Sequence, residues 1–304
     1  MSNAPYIGTA GWSYPHWNGV VYPIGPKSSL HPLELIARNT STVEINSSFY
    51  QTLRPEVTRL WLKKVEHNPD FQFTAKLHQQ FTHKRQLIDS EIRAFKDGLR
   101  PLQKAGRLGA LLMQFPWSYR LTEENRDFFI RLRRAFHDFP LVAEMRHDSW
   151  MSEEALGTFL DYKVGFCNID QPQYTRAMPP TSLLTSGVGY VRLHGRNPGN
   201  SLGAFQEGAQ RRKQHDYLYS ESELSEWAKR IEHVARFAER TFVIFNNDAA
   251  GKSFVNALQL EKMMGVLRGP APINLRRRYP VQLEHFGRNA APAYGEQQVL
   301  FPAA

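Results

Sequence analysis

The chain has 304 residues, 41% of them hydrophobic and 22% charged, enough apolar mass for one large domain with its own core. Its single cysteine, Cys167, excludes an intramolecular disulfide and any thiolate cluster within the chain, and no apolar run approaches the roughly 18 residues of a membrane helix. A formal net charge of +9 and a pI of about 9.6 favour an anionic substrate or partner without demanding nucleic acid.

Short β-rich runs alternate with helical patterns. The first runs are residues 6–9 and 42–46. Pro55 then suits a first helical position, with Val57, Leu60, Trp61 and Val65 expected on one apolar face. Runs at 71–76 and 109–115 follow, and Thr122 is placed to cap a helix burying Phe128, Phe129, Leu132 and Phe136. After runs at 141–146, 164–170 and 190–194, Ser220 with Glu223 reads as a capping box before Leu224, Trp227, Ile231, Val234 and Phe237. The eighth run, 241–247, precedes a closing helix marked by Phe254, Val255, Leu258 and Met263.

Eight strand-then-helix units predict a single (β/α)₈ TIM-like barrel over residues 1–265, with an open doubly wound sheet as the alternative. Residues 195–219, long and rich in Gly and Asn, form a candidate binding loop. Residues 266–304 mix Pro, Arg and Gly without periodicity and carry five Arg against two Glu; they predict an extended or partly disordered basic tail. The N-terminus has no basic-then-apolar leader, so a cytoplasmic location is expected.

A barrel places its active site where the strand ends and following loops converge. Near that end the runs carry Glu44 with Asn46, Lys76, Gln114, Glu144 with Arg146, Asp170, Arg192 with His194, and Asn247 with Asp248. Residues two apart share one side of a strand. A barrel interior is apolar at mid-height and an unpaired charge there costs on the order of several kcal/mol, so this concentration of ionisable groups needs a purpose. A mutually neutralised network closing the barrel is the structural alternative.

Several motifs around these residues agree. Gly8-Thr-Ala-Gly-Trp-Ser-Tyr14, Thr42-Val-Glu-Ile-Asn-Ser-Ser-Phe-Tyr50, Thr82-His83, Glu144-Met-Arg-His-Asp-Ser-Trp150, Tyr190-Val-Arg-Leu-His-Gly195 and Phe245-Asn-Asn-Asp248 occur in that order. In them the chain resembles the YecE-like family, domain of unknown function seventy-two, from residue 6 to about 264. The resemblance implies a TIM-like barrel and supplies no activity. Met145 and Asp148 stand where that family more often has Phe and Pro; neither replaces a candidate catalytic group.

The residue types point to an enzyme, a hydrolase or lyase acting on a phosphorylated or other anionic substrate. Glu44 or Glu144 would be the base and His194 the acid. Arg146, Arg192 and Lys76 would clamp the anion, Trp12 and Tyr14 would stack on substrate, and Asn46, Gln114, Asp170, Asn247 and Asp248 would line the site. Metal is a weaker alternative: Glu44, Glu144, His194 and Asp248 could converge on a divalent ion, although no close-spaced ligand motif occurs. Gln297, Leu300 and Phe301 fit a Gln-x-x-Leu-Phe pattern that resembles bacterial sliding-clamp-binding peptides. That opens a second class of function, a DNA-maintenance factor recruited to the clamp. Non-catalytic anion binding is the third.

Overall fold

The structure, a computed structural model, describes residues 4–23, 30–197 and 215–287. Gln297, Leu300 and Phe301 lie outside the described residues, as does most of the expected binding loop.

The eight expected runs become β1 (Tyr6–Ala10), β2 (Thr42–Ile45), β3 (Gln72–Lys76), β4 (Leu108–Gln114), β5 (Leu141–Glu144), β6 (Gly165–Asp170), β7 (Val188–Leu193) and β8 (Arg240–Phe245). They pair in sequence order, all parallel, and β8 closes on β1. A single (β/α)₈-type barrel results, and the open-sheet alternative falls. Nearly every strand residue is buried, because one face fills the barrel and the other meets the helices.

The helices are α1 (Pro32–Asn39), α2 (Pro55–Lys64), α3 (Gln79–Thr82), α4 (Asp89–Lys104), α5 (Glu123–Ala135), α6 (Glu153–Asp161), α7 (Glu221–Ala235), α8 (Lys252–Met263) and α9 (Ile273–Arg278). Thr122 caps α5 by accepting from the Asn125 amide, and Ser220 and Glu223 form the expected capping box of α7. Three apolar expectations fail. In α2, Leu60 is 49% exposed and Thr58 faces inward instead, its hydroxyl donating to the Gly98 carbonyl of α4 at 2.8 Å. Phe237, beyond the end of α7, and Met263, the last residue of α8, are exposed at 69% and 41%.

The β6–β7 connection departs from the βα rhythm. Residues 171–187 contain no helix and are held by side chains: Asn168 Oδ1 accepts from the Thr181 hydroxyl and the Leu183 amide, both at 2.7 Å. After α8 the chain returns to the barrel. Leu275, Leu283 and Phe286 are buried in the main core, and the Tyr279 hydroxyl donates to the Ala250 carbonyl at 2.8 Å. Among the described residues no helix is long and apolar enough to cross a membrane.

Inside, the barrel fills in layers. Tyr6 stacks on Phe242 low in the barrel, where Gly109 makes room: a Cβ there would lie 2.0 Å from the Phe242 ring. Tyr190 and Thr74 come next, bonded at 2.8 Å. Above them the interior turns ionic.

Candidate functional site

On β2, β3, β4, β5 and β7 the side chains of Glu44, Lys76, Gln114, Glu144 and Arg192 turn into the upper barrel interior. Arg192 is its hub and is fully buried. Its guanidinium donates to Glu44 Oε1 at 2.9 Å, to Glu144 Oε2, and to Gln114 Oε1 at 3.2 Å. Glu44 Oε2 accepts from the Tyr190 hydroxyl at 3.0 Å. Glu144 Oε1 takes Arg146 Nε and Nη2 at 2.9 and 2.8 Å and lies 3.3 Å from His194 Nε2. Fully buried carboxylates of this kind persist only with such dense pairing.

The electrostatics follow from burial set against these partners. Burial would raise the Glu144 carboxyl, but Arg192, His194 and Arg146 together hold it well below the usual range. His194 moves down: burial outweighs Glu144, with Arg146 and Arg192 adding to the shift. A neutral imidazole fits its contacts, with Nδ1 accepting from the Asn246 amide at 3.0 Å and Nε2–H directed at Glu144. His83, beside Thr82 and the Phe49 ring, is pushed down to about 4 by burial, Arg146 and Lys76.

Lys76 differs from the rest. It ends β3, is 8% exposed, and among the described residues its Nζ comes no nearer a carboxylate than 3.8 Å, at Glu44 Oε1. The Phe49 ring centroid lies 5.7 Å away. Among the described residues no hydrogen bond to Nζ is formed. Burial first and the Arg192 charge second lower its pKa to about 7, against the pull of Glu44 and Glu144.

Above Lys76 opens a cavity of about 680 Å³, within the range of small-molecule sites. Trp12, Tyr14, Asn46, Lys76 and Asp248, all expected at the rim, line it. Trp12 packs edge-on against Trp61 at 5.0 Å. Tyr14 donates to the Ala10 carbonyl and accepts from the Asn46 amide at 3.4 Å. Gly11 permits this: its φ is +86°, and a Cβ would sit 2.9 Å from the Tyr14 hydroxyl.

The structure does not bring Asp170 and Asn247 to the cavity. Asp170 turns outward, where Arg196 Nε at 2.9 Å and Trp227 Nε1 at 3.2 Å bind it. Asn247 donates to the Tyr217 carbonyl and to Asn256. Gln114, Glu44, Glu144 and Arg192 lie beneath the cavity, an amide and three charged groups under Lys76. Sequence reasoning missed Asn246, which faces inward, and the lining residues His31, Ser47, Tyr50, Trp61 and His215. Period-2 spacing groups Asn246 with Phe242 and Ile244 without marking that side as inward; the others come from loops, from the N-cap of α1 and from α2 and carry no such signal. Among the described residues no group of three or more His, Cys, Asp or Glu side chains is placed to hold a metal ion. Glu44 and Glu144 are instead spanned by Arg192.

Comparison with known proteins agrees with the motifs. The sequence model of the family described as "Protein of unknown function DUF72" matches residues 6–277. The UPF0759 protein YunF of Bacillus subtilis strain 168 is 28% identical over 285 residues, 89% of this chain and 98% of that protein. The UPF0759 protein YecE of Escherichia coli K12 is 29% identical over 116 residues, 38% of each chain. Among solved structures, a DUF72 family protein from Thermotoga maritima superposes with a TM-score of 0.74 at 29% identity, covering 86% of this chain and 100% of that one.

Proposed function

The chain belongs to the DUF72 family, whose name specifies no reaction, and from its own site we propose a hydrolase or lyase acting on a small anionic substrate in the rim cavity. The observation that carries this reading is Lys76: a nearly buried ammonium on the cavity floor, 3.8 Å from its nearest carboxylate oxygen and without a hydrogen bond to any described residue. Burying an unsatisfied charge is costly, and a substrate oxygen at that position removes the cost.

Charge balance points the same way. Beneath the cavity Glu44 and Glu144 are matched by Arg192 and Arg146, so protonated Lys76 is one positive charge beyond that balanced network, and Asp248 is the opposing charge on the cavity wall. An anionic substrate neutralises the ammonium and draws a proton onto Lys76 as it binds. The amine, poised near 7, then exchanges that proton with the substrate. Asp248 is the second charged group lining the cavity and serves as the opposing base. Asn46 and Asn246 offer amides, and Trp12 an apolar wall. In this reading Glu44, Glu144 and Arg192 are positioning residues that set the protonation of Lys76, and His194 orients Glu144.

Calorimetric titration with inorganic phosphate tests it. Binding near pH 6.5 is expected with proton uptake, weakening at least about tenfold by pH 8.5 as Lys76 loses its charge. It is expected to be lost in Lys76→Met. Equal affinity in wild type and a folded Lys76→Met would overturn the reading.

A further inference from the structure

The Lys76 amine has a second capability. A residue meant solely to clamp an anion is best permanently charged, as Arg is; here both nearby guanidinia are committed to Glu144 and Glu44, and the cavity floor presents an amine instead. No described residue hydrogen-bonds to that nitrogen. It faces a volume large enough for a small molecule, and the Phe49 ring covers one approach at 5.7 Å.

We propose that Lys76 is a covalent nucleophile, and that the substrate of this cavity carries an aldehyde or ketone to whose carbon the amine adds to form an imine. The proposal rests on the reading of the cavity as a small-anion site, and narrows it to anionic carbonyl compounds and to a lyase. The groups facing Lys76 are Arg192 on β7, Glu44 on β2, Glu144 at the end of β5 with Arg146 just past it, and His83 after α3. Burial and Arg192 bring its pKa to about 7, so near neutrality a large share of the nitrogen has its lone pair available.

The step balances. The lone pair forms the C–N bond while the carbonyl π electrons move to oxygen, which takes a proton. A second proton lets that oxygen leave as water, and the nitrogen, having lost one of its own hydrogens, becomes an iminium. In sum one proton is consumed and one water released, with no oxidant or reductant. The iminium carries the positive charge that Lys76 would carry when protonated, beside Glu44, and accepts the electron pair of a carbon–carbon bond broken next to it.

The test is reductive trapping. The full chain is incubated at pH 7.5 with pyruvate and, separately, with dihydroxyacetone phosphate, reduced with sodium borohydride, digested and read by mass spectrometry. The reduced adduct is expected on Lys76 at a level at least tenfold above that on any other lysine. Its yield should rise across a midpoint near pH 7, where solvent-exposed lysines rise only in the alkaline range. This pH profile uses the wild-type chain and does not depend on a variant folding; Lys76→Met, checked by circular dichroism, should lose the adduct. Labelling spread evenly over the lysines, or absent from Lys76 with both probes, overturns the proposal. If phosphate still binds in a Lys76-dependent way, the anion reading survives that result; if phosphate binding is also absent, both fall together.

Discussion

Replacing Arg192 by Met probes the ionic floor most directly. The methionine fills similar volume but leaves Glu44 and Glu144, both fully buried, without the guanidinium that spans them. Removing one partner of a buried ion pair costs about 3–5 kcal/mol, a large part of the roughly 5–15 kcal/mol that holds a domain folded. At roughly 2 °C per kcal/mol for a domain of this size, the midpoint should fall by about 6–10 °C. The pH dependence adds a sharper criterion. In the wild type Glu144 is held well below its ordinary range, so its contribution is present above the unfolded-state pKa and is lost as pH falls through the folded one. Without Arg192, burial raises the carboxyl, and its protonation on acidification relieves the strain. The deficit of Arg192→Met should therefore be larger at pH 7 than at pH 4.5 in urea titrations. Adding Glu44→Gln keeps the Arg146–Glu144 pair and should recover part of the loss, with a coupling of about 1–2 kcal/mol. A deficit at pH 7 below about 1 kcal/mol, or one independent of pH, would refute the account of Arg192 as the hub.

Other outcomes follow from single sites. Glu261 in α8 is fully buried, neither carboxylate oxygen has a hydrogen-bond partner among the described residues, and burial pushes its pKa up well above the usual range. The native state thus keeps a proton the unfolded chain loses, and stability declines as pH rises from the ordinary carboxylate range toward the raised value; Glu261→Gln should flatten that slope in thermal melts between pH 5 and 8, and an unchanged slope would contradict it. Gly109→Ala drives a methyl into the Phe242 ring and should cost about 1–3 kcal/mol in chemical denaturation, with a neutral effect counting against the packing described. Asp170→Asn weakens the tie between β6, Arg196 and Trp227; it should lower the melting temperature yet leave phosphate affinity at the cavity within about twofold, and a selective loss of binding would restore Asp170 to the site.

Much of the interior was legible because a strand's period of two is rigid. Once residues 42–46, 141–146 and 190–194 are read as strands, Glu44 must share a side with Asn46, Glu144 with Arg146, and Arg192 with His194. The cap residues Thr122 and Ser220 were equally readable, since capping is a local hydrogen bond. On β8 the same spacing groups Asn246 with Phe242 and Ile244, but Thr241 to Phe245 are buried on both faces, so no polar alternation marks the inward side, and the closing register of β8 on β1 and β7 decides that Asn246 faces the cavity while Asn247 turns away. Asp170 on β6 was misplaced for the same reason, its strand being buried throughout.

The sequence by itself determined the eight strand-then-helix units and the gathering of opposite charges near the strand ends, because those follow from periodicity and local chemistry, while closure of β8 on β1 rather than an open sheet was decided by the pairing. The division of labour among those charges was decided by the tertiary structure. Arg192 offers a planar fork of donors and sits between two carboxylates, Glu44 and Glu144, that precede it by 148 and 48 residues, so it takes both. Lys76, a single compact ammonium on the cavity floor, is left 3.8 Å from the nearer of them and facing the cavity. Distances between side chains brought together by barrel closure carry no trace in sequence spacing, and it is those distances that separate the buried scaffold from the amine left to meet a substrate.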